Sequence, residues 1–265
     1  MQGNCRHRGY RVEYAGISDP GRVRRCNEDD LLLLADAGVF AVADGLGGLD
    51  AGDIASKTAL RNLKELSAAP PAFWSGKLRL PRFGTGKTPP LENIIALVNT
   101  RIYEQKIALA RNMATTLAMV RLGGEAAAIA HVGDSRVYHW RDGVLSRLTS
   151  DHSLVNELYK QGALTASQAE HSPQRHVITR ALGAEATVRP SVQQKMVLPG
   201  DILLLCTDGL TAMLPDAGIA EIIQDRKDDV GRAAEQLVQA ANEAGGHDNI
   251  TVILLLMNGR GDGRQ

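Results

Sequence analysis

The sequence predicts an α+β protein in which antiparallel sheets carry their helices on the outside. Three observations support this. Strand-like apolar runs come in groups instead of alternating strictly with helices. Within residues 115–148 four such runs follow closely, the last two joined by Arg141-Asp142-Gly143, a hairpin turn with glycine where positive φ is wanted. Helical apolar spacing falls in separate segments before and after this group.

In chain order, residues 10–18 and 30–44 read as strands around the polar segment 19–29. Residues 52–68 are helical, with Ile54, Ala55, Ala59, Leu60, Leu63 and Leu66 close to helical spacing. The prolines at 70, 71, 81, 89 and 90 make 69–90 a loop. Residues 91–111 form a second helix with Ile94, Ile95, Val98, Ile102 and Ile107 on one face. The four short strands are 115–121, 126–132, 136–140 and 144–148. Residues 150–185, more polar and locally helical, leave the core as an excursion. Strands follow at 188–197 and 201–206, helices at 218–223 and 230–244, and a last strand at 250–257. No linker or repeat divides the chain. Residues 10–257 therefore read as one domain between polar tails, 1–9 and 258–265, the second expected to be disordered.

Composition narrows the function. Lys plus Arg and Asp plus Glu are both 30, a formal net charge of zero, which argues against a general nucleic-acid or membrane-surface role. Only 4% of residues are aromatic, few for stacking on bases. Cys5, Cys26 and Cys206 show neither zinc spacing nor a disulfide framework. No run approaches the ~18 apolar residues of a membrane span, and the expectation is a cytoplasmic protein. No oligomer interface is evident.

The chemistry lies in five short acidic clusters: Asn27-Glu28-Asp29, Asp44-Gly45, Gly133-Asp134-Ser135, Asp208-Gly209 and Asp248-Asn249. Most stand where an apolar run stops, as Asp44 follows residues 40–43 and Asp208 follows 202–206. Such a run ending in Asp-Gly reads as a buried strand delivering a carboxylate to its tip. Any single Asp-Gly pair is also a favoured turn. Several tips converging would make an oxygen-rich pocket suited to hard dications such as Mg²⁺ or Mn²⁺.

The clusters belong to seven motifs that resemble, in order, those of the metal-dependent (type 2C, PPM) Ser/Thr protein phosphatases. They are residues 18–29 (SDPGRVRRCNED), 42–48 (VADGLGG), 114–117 (ATTL), 131–136 (HVGDSR), 148–153 (LTSDHS), 206–210 (CTDGL) and 248–251 (DNIT). The stretch 176–183 and the compact length look most like the bacterial branch. The resemblance implies a four-layer α-β-β-α sandwich: two antiparallel sheets face to face, flanked by helices, with residues 150–185 as a flap beside the active site. It implies hydrolysis of phosphoserine and phosphothreonine in proteins by two metal ions with a third, Mn²⁺ or Mg²⁺, in opposition to a bacterial Ser/Thr kinase. Two metals about 3.5–4 Å apart can activate water and neutralise the phosphoryl oxygens together.

By motif match Asp44 is the bridging carboxylate, with the Gly45 carbonyl on the second metal. Asp208 and Asp248 hold the first metal. Glu28 reaches the second through water, and Asp29 orients metal-bound waters. Asp134, with Asp208, matches the third-metal site. Arg24 is the phosphate clamp, its planar fork matching two phosphate oxygens. Asn249 holds the turn that carries Asp248.

Three positions depart from the family. Leu46 stands where eukaryotic members carry a histidine proposed as general acid, and leucine has no proton to give; bacterial relatives also lack that histidine. Ala114 replaces a common glycine, and Asp53 a common glutamate whose contact near the site its shorter arm would alter. His152 and His176 fall in the flap and carry no assigned role. Two rival functions stand beside the phosphatase. One is a phosphoprotein-binding module of the same fold, disfavoured because every acidic ligand is present. The other is a P-loop nucleotide hydrolase built on Gly84-Thr85-Gly86-Lys87-Thr88, disfavoured by Pro81 at the required glycine and by Pro89-Pro90 after it. The sequon at Asn249 and the Arg260-Gly261-Asp262 tripeptide are read as chance.

Overall fold

The computed structural model describes residues 1–7, 10–47, 51–69, 89–123 and 125–260. The P-loop-like residues 84–88, Gly48 of the second motif and Gly261-Asp262 lie outside these, as does most of the expected 69–90 loop.

One sheet contains β1 (Gln2–His7), β2 (Tyr10–Asp19), β8 (Arg136–Arg141), β9 (Val144–Arg147), β11 (Ile202–Cys206) and β12 (Ile250–Arg260), in the order β1-β2-β12-β11-β8-β9. The other contains β3 (Asp29–Leu34), β4 (Val39–Leu46), β6 (Leu117–Leu122), β7 (Ala126–Val132) and β10 (Ser191–Met196), in the order β10-β7-β6-β4-β3; the two-residue β5 (Ala114–Thr115) pairs with the end of β4. All these pairings are antiparallel.

Period-two alternation explains the layering, because both faces of each sheet are covered. In β4, Phe40 and Val42 face the other sheet while Val39, Ala41 and Ala43 face α1 (Ala51–Ala68) and α2 (Leu91–Leu109). In β11, Leu203 and Leu205 enter the inter-sheet core, and Ile202, Leu204 and Cys206 pack under α6 (Asp216–Asp225) and α7 (Val230–Glu243). β12 alternates likewise, with Ile253 and Leu255 inward and Val252 and Leu254 toward α7. The result is the four-layer α-β-β-α sandwich. Strands with two buried faces read as unbroken apolar runs, which is why 202–206 is legible without alternation.

Residues 150–185 hold α3 (Leu154–Lys160) and α4 (Ala166–Glu170), and a bridge between Ser153 and Ile178 closes the base of this excursion. Past β11 the short α5 (Asp208–Thr211) turns the chain outward.

Several boundaries differ from expectation. Gln2–His7 is not a tail but an edge strand paired along β2. Its side chains alternate between exposed and half-buried, and it is held by main-chain bonds, including Gly16 N–H to Met1 O at 2.8 Å, so it carries no apolar signature. At the other end β12 continues through 258–260, also read as tail. One turn of 3₁₀ helix at Ala35–Ala37 divides the 30–44 run. Ile107 is exposed, since the last turn of α2 runs past the core. No helix among the described residues is long and apolar enough to cross a membrane.

Candidate metal centre

The acidic tips meet at one end of the inter-sheet space. Asp44, near the end of β4, lies directly opposite Asp29, the first residue of β3. Its main chain is fully engaged: the N–H donates to Thr116 Oγ1 at 3.0 Å, and the carbonyl accepts from Thr115 Oγ1 at 2.8 Å and Thr116 N–H at 2.9 Å. The strand tip is fixed while the carboxylate projects from it. Asp208 follows the end of β11, and Asp248 precedes β12, which pairs with β11. The turns carrying them touch: a Cβ on Gly209 would collide with Asn249 O, so glycine is required there. Asn249 gathers the remaining segment. Its Oδ1 accepts from Glu28 N–H at 2.8 Å, and its Nδ2 donates to the carbonyls of Pro20 and Cys26, each at 2.9 Å. Asp134 lies in the β7–β8 turn after Gly133, whose φ of 97° suits glycine, and Ser135 Oγ joins Thr116 Oγ1 at 2.7 Å.

Electrostatics bind these residues into one unit. Burial pushes Asp44 well above the ordinary carboxylate range, and Asp29, Asp208, Asp134 and Asp248 push it further. Burial raises Asp29 to about 7 against the pull of the Thr251 and Thr207 hydroxyls, with Asp208 and Asp248 adding to the rise. Asp134 rises to about 7 through burial, Asp208 and Asp151. Asp208 is raised by burial and Asp248, and is held back by His176 and a hydrogen bond with Asp44. Carboxylates this close and this dry are stable as anions only beside compensating positive charge. Asp134 Oδ1 is buried without a hydrogen-bond partner. An all-oxygen donor set, mutual repulsion and an orphaned carboxylate oxygen fit hard divalent cations.

Among the described residues no three acidic, histidine or cysteine side chains close on one point as a ready cage. Asp248 is held by Arg24, whose Nη2 lies 2.8 Å from Oδ2, both residues being solvent-accessible. The Glu28 carbonyl accepts from Gly45 N–H at 3.1 Å and Ser56 Oγ at 2.6 Å, fixing Glu28 beside the Asp44-Gly45 tip. Asp53 instead forms an ion pair with Lys57 at 2.6 Å one turn along α1.

Sequence reasoning missed the hydroxyl shell. Thr207 Oγ1 donates to Asp29 Oδ2 at 2.8 Å and accepts from Thr251 N–H at 3.0 Å. These threonines, with Thr116, stand inside the quoted motifs, and their signal was a polar residue in an otherwise apolar run. His152 is buried and stacked on His131, with ring centroids 4.6 Å apart. His176 lines a groove of about 690 Å³ that runs from Asp208 between the 150–185 segment and α6, past Arg136, Arg147, Asp151 and Asp216.

A family model described as protein phosphatase 2C matches residues 22–251. The chain belongs to that family. Serine/threonine phosphatase stp of Listeria innocua is 36% identical over 246 residues, 91% of this chain and 94% of the relative. The crystal structure of the Mycobacterium tuberculosis serine/threonine phosphatase PstP/Ppp superposes with a TM-score of 0.81 at 33% identity, over 93% of this chain and 99% of that one. The PstP catalytic domain in complex with two manganese ions superposes with a TM-score of 0.77 at 32% identity, over 93% and 98%. Protein phosphatase 2C enzymes require metal ions, and this chain is a metal-dependent phosphatase of that kind.

Proposed function

We propose that this phosphatase hydrolyses phosphoserine and phosphothreonine in proteins, in the cytoplasm, in opposition to a Ser/Thr kinase. The observation that carries the reading is the convergence of Asp44, Asp208, Asp29, Asp134 and Asp248 into one mutually repelling, partly buried cluster. Three unpaired cysteines suit a reducing compartment.

Asp44 and the Gly45 carbonyl, Asp208 and Asp248 would hold two ions, Mn²⁺ or Mg²⁺, with Glu28 reaching one through water and Asp134 with Asp208 holding a third. When bound, the ions supply acidified water and neutralise phosphoryl oxygens. Asp29, fixed by two threonine hydroxyls, is positioned to orient water and accept a proton. Arg24 can leave Asp248 and place its fork on two phosphate oxygens. The groove beside Asp208 offers the flanking peptide a mixed-charge wall. Leu46 pairs with Ala114 in the sheet and gives no proton, so the leaving oxygen takes its proton elsewhere.

The test is turnover of p-nitrophenyl phosphate and of a phosphothreonine peptide with Mn²⁺ and with Mg²⁺. Cation-dependent release of phosphate is expected. No turnover by folded protein with either ion would leave only a phosphoprotein-binding module.

A further inference from the structure

The structure assigns His152 a task that its position in the 150–185 segment does not advertise: it is a positioning residue that ties this segment to the turn bearing Asp134. The inference rests on the reading of Asp134 as a metal ligand.

Every polar atom of His152 is engaged. Its main-chain N–H donates to Gly133 O at 2.9 Å, and Gly133 N–H donates back to the imidazole Nδ1 at 3.1 Å. The same residue therefore holds both main-chain polar groups of Gly133, the residue immediately before Asp134. Because Nδ1 accepts, the ring proton resides on Nε2, which donates to Ser191 Oγ at 3.0 Å on β10. The His152 carbonyl accepts from Thr179 N–H at 2.8 Å, on the returning arm of the excursion. Ser153 bridges to Ile178 next to it. Beneath it His131, whose Nε2 meets Ser150 O at 2.9 Å, stacks on the ring with an interplanar angle of 15°.

On its other side the 133–135 turn leans on Thr116. A Cβ on Gly133 would come within 2.7 Å of Thr116 Cγ2, and Thr116 Oγ1 contacts both Ser135 Oγ and Asp44 N–H. A continuous run of short contacts thus passes from Thr179 through His152, Gly133-Asp134-Ser135 and Thr116 to Asp44. Moving the base of the excursion must move the Asp134 carboxylate, whose Oδ1 has no other hydrogen-bond partner to hold it. The polar contacts of His152 are all to protein groups, on Gly133, Thr179 and Ser191, so it acts through this turn.

The test is Mn²⁺ titration calorimetry on the full chain, with thermal melting as the control for folding. Asp134→Asn should remove one weak binding event. His152→Gln, which lacks an acceptor at the Nδ1 position, should weaken that same event about tenfold or more, the usual range for outer-shell changes, and leave the tighter events within twofold. His152→Asn, whose Oδ1 sits on Cγ where Nδ1 did but which loses the Ser191 contact, should restore most of it. If His152→Gln does not fold, Ser191→Ala, which frees Nε2 alone, should weaken the event about threefold, short of the ~10-fold for loss of a whole outer-shell partner because the Nδ1 bond to Gly133 survives. A folded His152→Gln (or Ser191→Ala) with an unchanged weak event, while Asp134→Asn lacks it, overturns the role of His152 alone. An unchanged titration of Asp134→Asn overturns the metal reading of Asp134 and the inference with it.

Discussion

Strand β11 joins a buried and a half-buried carboxylate of opposite character. Asp201, just before it, is almost fully buried and saturated: Arg141 Nε and Nη2 meet its two oxygens at 2.6 and 2.7 Å, His139 Nε2 lies at 3.0 Å, and Leu198 N–H donates at 2.8 Å. Burial alone would raise it, but the bonds from Arg141, His139 and Leu198 outweigh burial and hold Asp201 below the ordinary carboxylate range. Asp208, just after the strand, has carboxylate neighbours and is raised. The lesson is that burial does not mark a functional acid. An acid whose neighbours satisfy it is architecture, and one whose neighbours share its charge requires something from outside the chain.

The largest expected effect tests that distinction at the acidic end. Asp44→Asn and Asp208→Asn should each lower kcat about a thousandfold, since several kcal/mol of charge stabilisation depend on the metal cluster. Asp201→Asn should leave kcat within about threefold, as expected of a site that makes no contact with the reaction; a larger loss would erase the contrast between the two ends.

Ligand linkage comes next. Mn²⁺ at a hundred times its Kd should stabilise the wild type by about 2.7 kcal/mol, read as an upward shift in Tm. Asp201→Asn should keep that increment and Asp44→Asn should lose most of it. Loss of the increment in Asp201→Asn would show that the two ends are coupled.

Asp201→Asn itself should cost about 2 kcal/mol in urea denaturation, the value of charge-assisted bonds lost around a partly exposed Arg141. Its pH signature has a definite sign. Folded Asp201 titrates below its unfolded value, so its contribution is fully present above the unfolded pKa of about 4. That contribution is lost as pH falls below this and toward the folded pKa. Arg141 and His139 are the charged or titratable groups facing it, and both favour the anion. Wild type minus Asp201→Asn stability should therefore shrink between pH 5 and the acid limit; a difference that stays flat would refute the pairing.

The smallest effect concerns Arg24. Arg24→Ala should raise KM about tenfold with little change in kcat, as removal of binding shared by ground and transition states does. A fall in kcat at constant KM would place Arg24 in the transition state.

The parts legible in the sequence were those where the residue itself carries the signal. Residues 202–206 and 252–257 are apolar on both faces because both faces are covered, and an aspartate close to the end of such a run has few places to go but the sheet's end. What escaped was held by main chain or by small polar groups. Gln2–His7 pairs through backbone bonds and leaves no periodic trace. Thr207 and Thr251 look like ordinary residues of apolar runs until the Thr207 hydroxyl is found donating to Asp29 and accepting from Thr251 N–H. Asp53 differed by one methylene from the residue it resembles, and only coordinates reveal that Lys57 takes it. His152 sat in a motif without a role because its partners, Gly133, Thr179 and Ser191, are scattered.

Asn249 has a consequence for the timing of the molecule's birth. Its amide fastens residues 20–28 across a separation of more than two hundred positions, and β2 finds its main partner in β12. A chain emerging from the ribosome can form helices and hairpins early, but such distant contacts wait for the last strand. Fragments ending before residue 248 should be inert toward phosphate esters however well they collapse.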